Sequence, residues 1–356
     1  MKYWRGYLVA LIFFVAGWAL LQFAASHTVL MDMVYPYMTR LVQTSLANWS
    51  SGATFCLWQA FVLVLGAGIA ASIVVMVALK WNPIQWFGWV MAVISVIMFL
   101  NTGLQGMNQY TGSIAADVRF ENGDCTVLSV EEAANYFLDQ AEAAKAKASK
   151  NYDFDQLAVQ AADGFEDLTY EDCYAIFAGS TLPVKKLAWS GIYTAQGKTG
   201  VTVALTGEAA VNTQTPEALL PYAMCKEMCS RMSISREPDI HFAAILACIN
   251  NEDPRFQYAG YLMAYIQCVD ALKGVESTGA QAAVGRLEKA PNKTVAGDLE
   301  QWRKFQGRNT TTDTAGQLLT NWYLQTVLVL LEPQEEETVT FDPTDATDPR
   351  LSGLVG

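Results

Sequence analysis

Residues 54–100 read TFCLWQAFVLVLGAGIAASIVVMVALKWNPIQWFGWVMAVISVIMFL, with Lys80 as their single charge. The run from Thr54 to Leu79 and the run from Pro83 to Leu100 are each long enough to cross a hydrocarbon core of about 30 Å as a helix. Lys80, Trp81 and Asn82 leave room only for a tight turn between them. Trp86, Phe87 and Trp89 open the second arm, where an aromatic belt meets headgroups. With no water in the core to satisfy backbone groups, both arms must be helical. The stretch therefore predicts a membrane hairpin, and with it the class of the whole fold.

Toward the N-terminus there is a third such run. No charge occurs between Arg5 and Asp32, and Tyr7 to Ala25 is almost wholly apolar. The basic start, Lys2 and Arg5, also fits a secretory signal, but the apolar region of a signal is only about 7–15 residues. An uncleaved anchor is the better reading. The expected membrane domain is residues 1–104, with spans at about 7–26, 54–79 and 82–101. Basic residues set the orientation: Lys2 and Arg5 precede the first span, Lys80 sits in the hairpin turn, and Arg40, in the loop after the first span, is balanced by Asp32. The positive-inside rule puts the N-terminus and Lys80 in the cytoplasm. Everything after about residue 105 is then extracytoplasmic, in a multi-pass plasma-membrane protein whose first partner is the lipid bilayer.

Residues 105–332 suffice for one core. Val130 to Lys150 predicts a helix with Ser129 as cap, and Phe154 to Phe177 one or two more. Ile192, Tyr193, Val201, Val203 and Leu205, punctuated by Gly197 and Gly200, predict a hairpin or small sheet. Helical texture returns after Pro216. Asp253-Pro254 caps a helix to about Lys273, Ser277 or Thr278 a shorter one, and Thr294–Phe305 and Thr314–Leu331 show helical spacing. Residues 333–356, acidic with Pro343 and Pro349, are expected to be a disordered tail. The fold class is thus mainly α (α+β): three transmembrane helices, then a mostly helical domain with a small β element.

The chain has 356 residues, 16% charged, with a net charge of −12. Residues 1–104 hold four basic and one acidic residue, and the remainder is strongly acidic. A nucleic-acid binder, which needs a basic footprint, is excluded. Of seven cysteines, Cys56 is placed in the second span and six beyond it. Six allow 15 disulfide pairings, among which sequence does not choose, and burial as small hydrophobes is the alternative.

The segment Leu205–Leu272 contains Thr206-Gly207-Glu208-Ala209, Val211-Asn212, Cys225, Glu227-Met228, Arg236-Glu237, Phe242, Leu246-Ala247-Cys248 and Tyr258, Gly260, Tyr261. In order and spacing it resembles a family of bacterial three-span membrane proteins with an extracytoplasmic zinc-metallopeptidase-like domain, catalogued as a domain of unknown function. Gly106–Tyr110 fits the same pattern. The resemblance implies a zincin-like domain with an H-E-x-x-H helix. In such a helix residues i and i+4 hold zinc, the intervening Glu serves as general base, and a carboxylate on the next helix completes the ligands.

On that pattern Lys226 and Ser230 stand at the two His positions, Glu227 at the base and Asp239 at the third ligand. The chain's two histidines are His27, at the membrane, and His241. A protonated ammonium does not bind zinc and a serine hydroxyl is a poor ligand. Without the metal, water keeps a pKa near 15.7 instead of about 7, and Glu227 is a vestigial base. The reading is a degenerate peptidase scaffold that has lost the zinc cofactor, with Lys226 supplying a replacement cation to Asp239 or Glu227. Two other chemistries are open to these residues: Cys225 and Cys229 with Asp239 as a soft-metal site, and Ser230–Lys226 as a nucleophile pair. Glu208 either faces the cleft or makes a structural hydrogen bond, and Tyr258 and Tyr261 read as helix packing. Strand addition at Ile192–Leu205 would let the domain bind peptide. The implied function is a non-catalytic protein binding peptide, protein or envelope material. The alternatives are an active metallopeptidase with an atypical metal site, or a structural membrane-assembly component.

Overall fold

The computed structural model describes residues 4–114, 126–170 and 175–307. Among the described residues, three helices are long and apolar enough to cross a membrane: α1 (Arg5–Ser26), α3 (Leu57–Ala78) and α4 (Pro83–Leu104). The chain is a multi-pass membrane protein. Helices α1 and α4 pack closely because small residues meet at their crossing. A Cβ on Gly6 would lie 2.5 Å from the Gly88 carbonyl carbon, and one on Gly88 would lie 2.8 Å from the Tyr7 ring. Phe13 and Phe99 then meet edge to face, 5.4 Å between centroids. Helix α3 stands apart and buries only Gln59. Its side-chain tie to α4 is the Trp86 indole N–H, which donates to Ser72 Oγ at 2.9 Å. In the turn between them Asn82 caps α4 ahead of Pro83.

The segment expected to be a loop after the first span is instead helix α2 (Thr28–Ser50), separated from α1 by His27 alone. Arg40 does not lie free beside Asp32. It is buried, and donates from Nε to the Met232 carbonyl at 3.2 Å and from Nη1 to the Ala175 carbonyl at 2.7 Å. Cys56 is not within the span but caps α3, buried, with its thiol 3.4 Å from the Lys186 carbonyl.

The helical domain follows a short 3-10 turn at Gly106–Tyr110. Its helices are α5 (Val127–Lys147), α6 (Phe154–Gln160), α7 (Asp163–Tyr170), α8 (Ser190–Ala195), α9 (Leu220–Arg231), α10 (Glu237–Asn250), α11 (Pro254–Lys273), α12 (Thr278–Leu287) and α13 (Lys293–Gln306). The cap of α5 is Thr126, with Ser129 as its capping-box partner three residues on. Asp253 and Ser277 cap α11 and α12 as their sequences dictate. Helix α11 is the core of the domain: Phe256, Tyr258, Leu262, Met263 and Cys268 are almost fully buried, and α5, α9, α10 and α12 pack around it. Gly260 makes the α10 contact possible, since a Cβ there would meet Cys248 Cβ at 2.8 Å. Tyr258 donates to Asp298 Oδ2 at 2.6 Å with the Lys145 ammonium over its ring, which is packing, as the spacing suggested.

The small β element is a three-stranded sheet in the order β1 (Lys185–Lys186), β3 (Glu208–Val211), β2 (Gly200–Val203). β1 runs parallel to β3 and β2 antiparallel to it, in the register Val201–Ala210. Ile192 and Tyr193, expected in a strand, lie in α8. Gly197, at φ +62, closes that turn, and Lys198 N–H returns to the Tyr193 carbonyl at 2.9 Å, so local closure overrides β propensity. The expected helix at 314–331, the tail 333–356, Cys125 and Cys173 lie outside the described residues.

Candidate functional site

Helix α9 carries Lys226, Glu227 and Ser230. Pro216 and a 3-10 turn (Glu217–Leu219) deliver the chain into it, and Pro221 sits where no N–H is needed. One side packs on β2 and β3, the other on α10 and α11. Glu227 is buried beneath edge strand β2. Thr202 Oγ1 lies 2.8 Å from Glu227 Oε2 and 3.0 Å from the Glu227 carbonyl oxygen. Gly200 makes the room, since a Cβ there would sit 2.7 Å from Glu227 Cγ. Burial pushes the Glu227 carboxyl up to about 7, against the Thr202 hydrogen bond and the Lys226 charge, which pull it down. One hydroxyl proton serves one acceptor. Both contacts are satisfied together when Glu227 carries its own proton and Thr202 donates to the carbonyl.

Lys226 does not pair with Asp239 or Glu227. Its ammonium meets Glu237 Oε1 at 2.5 Å, and His241 Nε2 reaches the same oxygen at 3.2 Å. The reason is helical phase. Glu237 and His241 are i, i+4 on one stripe of α10, whereas Asp239 points away. Asp239 accepts from Ser113 Oγ at 2.8 Å and from the Ile114 N–H at 3.3 Å. The His241 hydrogen bond, with Lys226 adding to it, holds the Glu237 carboxyl down to about 2. Behind His241, Tyr222 Oη bonds Nδ1. Burial raises that phenol well above its ordinary value. Ser230 Oγ donates back to the Lys226 carbonyl at 3.2 Å, a within-helix bond that does not aim it at Lys226 Nζ.

The donors at these positions do not fit zinc. Lys226 is a paired cation, Ser230 is turned to its own helix, and Asp239 is engaged elsewhere. Cys225, Cys229 and Cys248 are fully buried, and burial raises the Cys229 and Cys248 thiols well above their ordinary range. Among the described residues, no three His, Cys, Asp or Glu side chains converge where a metal could sit.

Glu208 belongs to a different place. Its carboxylate accepts from the Leu57 and Trp58 amides at 2.8 and 2.9 Å, at the free N-terminus of α3. Lys185 Nζ pairs with it at 2.6 Å and donates to the Ser50 carbonyl at the end of α2 at 2.8 Å. Gly207, at φ +64, lies so close to α2 that a Cβ would sit 2.5 Å from the Ala47 nitrogen. The Thr206-Gly207-Glu208 motif is thus a clamp on two helices, with an anion at one N-terminus and a cation at one C-terminus.

Sequence reasoning brought Lys226 and Glu227 to one neighbourhood, and missed Thr202, Tyr222, Glu237 and His241. The i, i+4 spacings Tyr222–Lys226 and Glu237–His241 were the available signal. For Thr202 there was none, because its contact crosses from strand to helix.

No curated protein and no solved structure matches the chain. A family model described as "Protein of unknown function (DUF3810)" matches residues 31–327, from early in α2 past the end of α13, and the chain belongs to that family.

Proposed function

We propose that the protein is a membrane-anchored, peptidase-like scaffold that has lost zinc chemistry and acts by binding an extended peptide or envelope protein on the outer face of the plasma membrane. The observation that carries this is the Lys226–Glu237 pair, 2.5 Å apart, at the position where the family resemblance implies the first zinc ligand. A paired ammonium at that position is no zinc ligand, and its partner is Glu237, not the two carboxylates of the implied zinc site. Glu227 keeps the place of the general base, yet its carboxyl is buried and engaged by Thr202 within the fold. Strand β2 supports the binding role: it is an edge strand, half-buried along its length, beside the helix that carries Glu227. The sparse basic residues Lys2, Arg5 and Lys80 support a cytoplasmic N-terminus.

The test is metal content and proteolysis of the purified full chain, with and without Glu227→Gln. The expected result is substoichiometric zinc and no hydrolysis in either. Stoichiometric zinc with hydrolysis lost in the variant would instead make the protein an active metallopeptidase with an atypical site.

A further inference from the structure

Helix α2 presents two opposite faces. Tyr35, Thr39, Gln43 and Ala47 are buried against the rest of the protein, and Gln43 Nε2 donates to the Ala204 carbonyl at 3.1 Å. Met33, Met38 and Leu41 on the outward side are 68%, 57% and 67% exposed. That side carries no charge; Asp32, in phase with Thr39 and Gln43, is turned inward and accepts from the Gly112 amide. An uncharged apolar face of this extent is not expected to stand in water.

The chain's own path says what covers it. α2 starts one residue after span α1 and ends six residues before span α3, and both of these ends lie on the membrane side opposite Lys80. With 23 residues α2 is about 34 Å long. Were it to rise along the membrane normal, residues 51–56 would have to bring the chain back down. Six residues reach at most about 20 Å. The clamp of Glu208 on Leu57 and Trp58 fixes the start of α3 next to the end of α2.

We infer that α2 lies in the plane of the bilayer interface, its outward face buried at the headgroup–acyl boundary of one leaflet and its inward face supporting the helical domain. The partner is a lipid surface, and the helix forms a hydrophobic sill on which the domain rests. This does not depend on the peptidase-like reading or on which leaflet is involved. Only the exposed Ser26, His27 and Thr28 separate this face from the apolar length of α1.

The experiment uses the full chain in phosphatidylcholine–phosphatidylglycerol vesicles. Nitroxide labels are placed by Met33→Cys and Leu41→Cys on α2, and by Tyr136→Cys on exposed α5 as a water reference. Signal from unsubstituted protein taken through the same labelling is subtracted. The expected result is an oxygen-to-nickel-chelate collision ratio several-fold higher at both α2 positions than at Tyr136→Cys. A ratio equal to the reference at both α2 positions would overturn the inference by placing α2 in water. Strong dipolar broadening between copies at Met33→Cys and Leu41→Cys would also overturn it, by assigning the face to a second chain. Met38→Cys serves as an alternative site if either variant fails to reconstitute.

Discussion

Two carboxyls near Lys226 titrate in opposite directions for opposite reasons. Glu227 loses water, and Glu237 gains His241 and Lys226. Folded Glu227, raised from 4.5 to about 7, holds its proton more tightly than the unfolded chain does. Its contribution is therefore most favourable below about pH 4.5 and is lost as pH rises toward 7. Thermal unfolding in detergent is expected to show stability falling from pH 5 to pH 8. Glu227→Gln should flatten that slope and gain up to about 3 kcal/mol at pH 8. Glu237 works the other way: its stabilisation is present above about pH 4.5 and fades as pH falls toward 2. Because its side chain is 63% exposed, Glu237→Gln should cost less than about 1 kcal/mol at neutral pH, measured by the same melts. The sequence reading paired Lys226 with Asp239 or Glu227, whereas its partner is Glu237. Glu237 and His241, not Asp239, share the stripe of α10 facing α9, and a phase of this kind is fixed by packing.

Helices with unbroken hydropathy were legible from composition alone, and α1, α3 and α4 lie close to their expected bounds. α2 was not, because Asp32, Pro36 and Arg40 interrupt its hydropathy. Two of the three find their reason only in three dimensions: Asp32 holds Gly112, and Arg40 satisfies the carbonyls of Met232, just after α9, and Ala175. The strand signal at Ile192–Tyr193 failed because a six-residue helix and a glycine turn satisfied the same backbone locally. The sequence left Glu208 open between the cleft and a structural hydrogen bond beside a helix, and the Thr206-Gly207-Glu208 motif forms a joint between elements. Gly207→Ala is expected to destabilise by more than about 2 kcal/mol, since a positive φ and a backbone clash with α2 act together. Glu208→Ala should cost about 3–5 kcal/mol, because it uncaps α3 and strands a largely buried lysine. Adding Lys185→Met should recover part of that loss in a double-mutant cycle.

The molecule is held to its membrane part by more than the chain connection. Lys185, Glu208, Arg40 and Gln43 all bond across the boundary between the helical domain and the first hundred residues. The helical domain produced alone, residues 105–356, is expected to melt at a lower temperature than the full chain in the same detergent. Loss of the partners of Lys185 and Glu208 accounts for the difference, and an unchanged melting temperature would show the clamp to be energetically idle.

That clamp also sets an order of events during synthesis. The carboxylate that caps α3 lies 151 residues after the first amide it serves. At about 5–20 residues per second, a ribosome takes roughly 8–30 s to deliver it. Through that interval the hairpin must already be inserted, its first-turn amides solvated or held by headgroups. The nascent chain therefore builds its anchor first and locks it last, and a stalled or truncated product would leave an inserted but unlatched membrane stub.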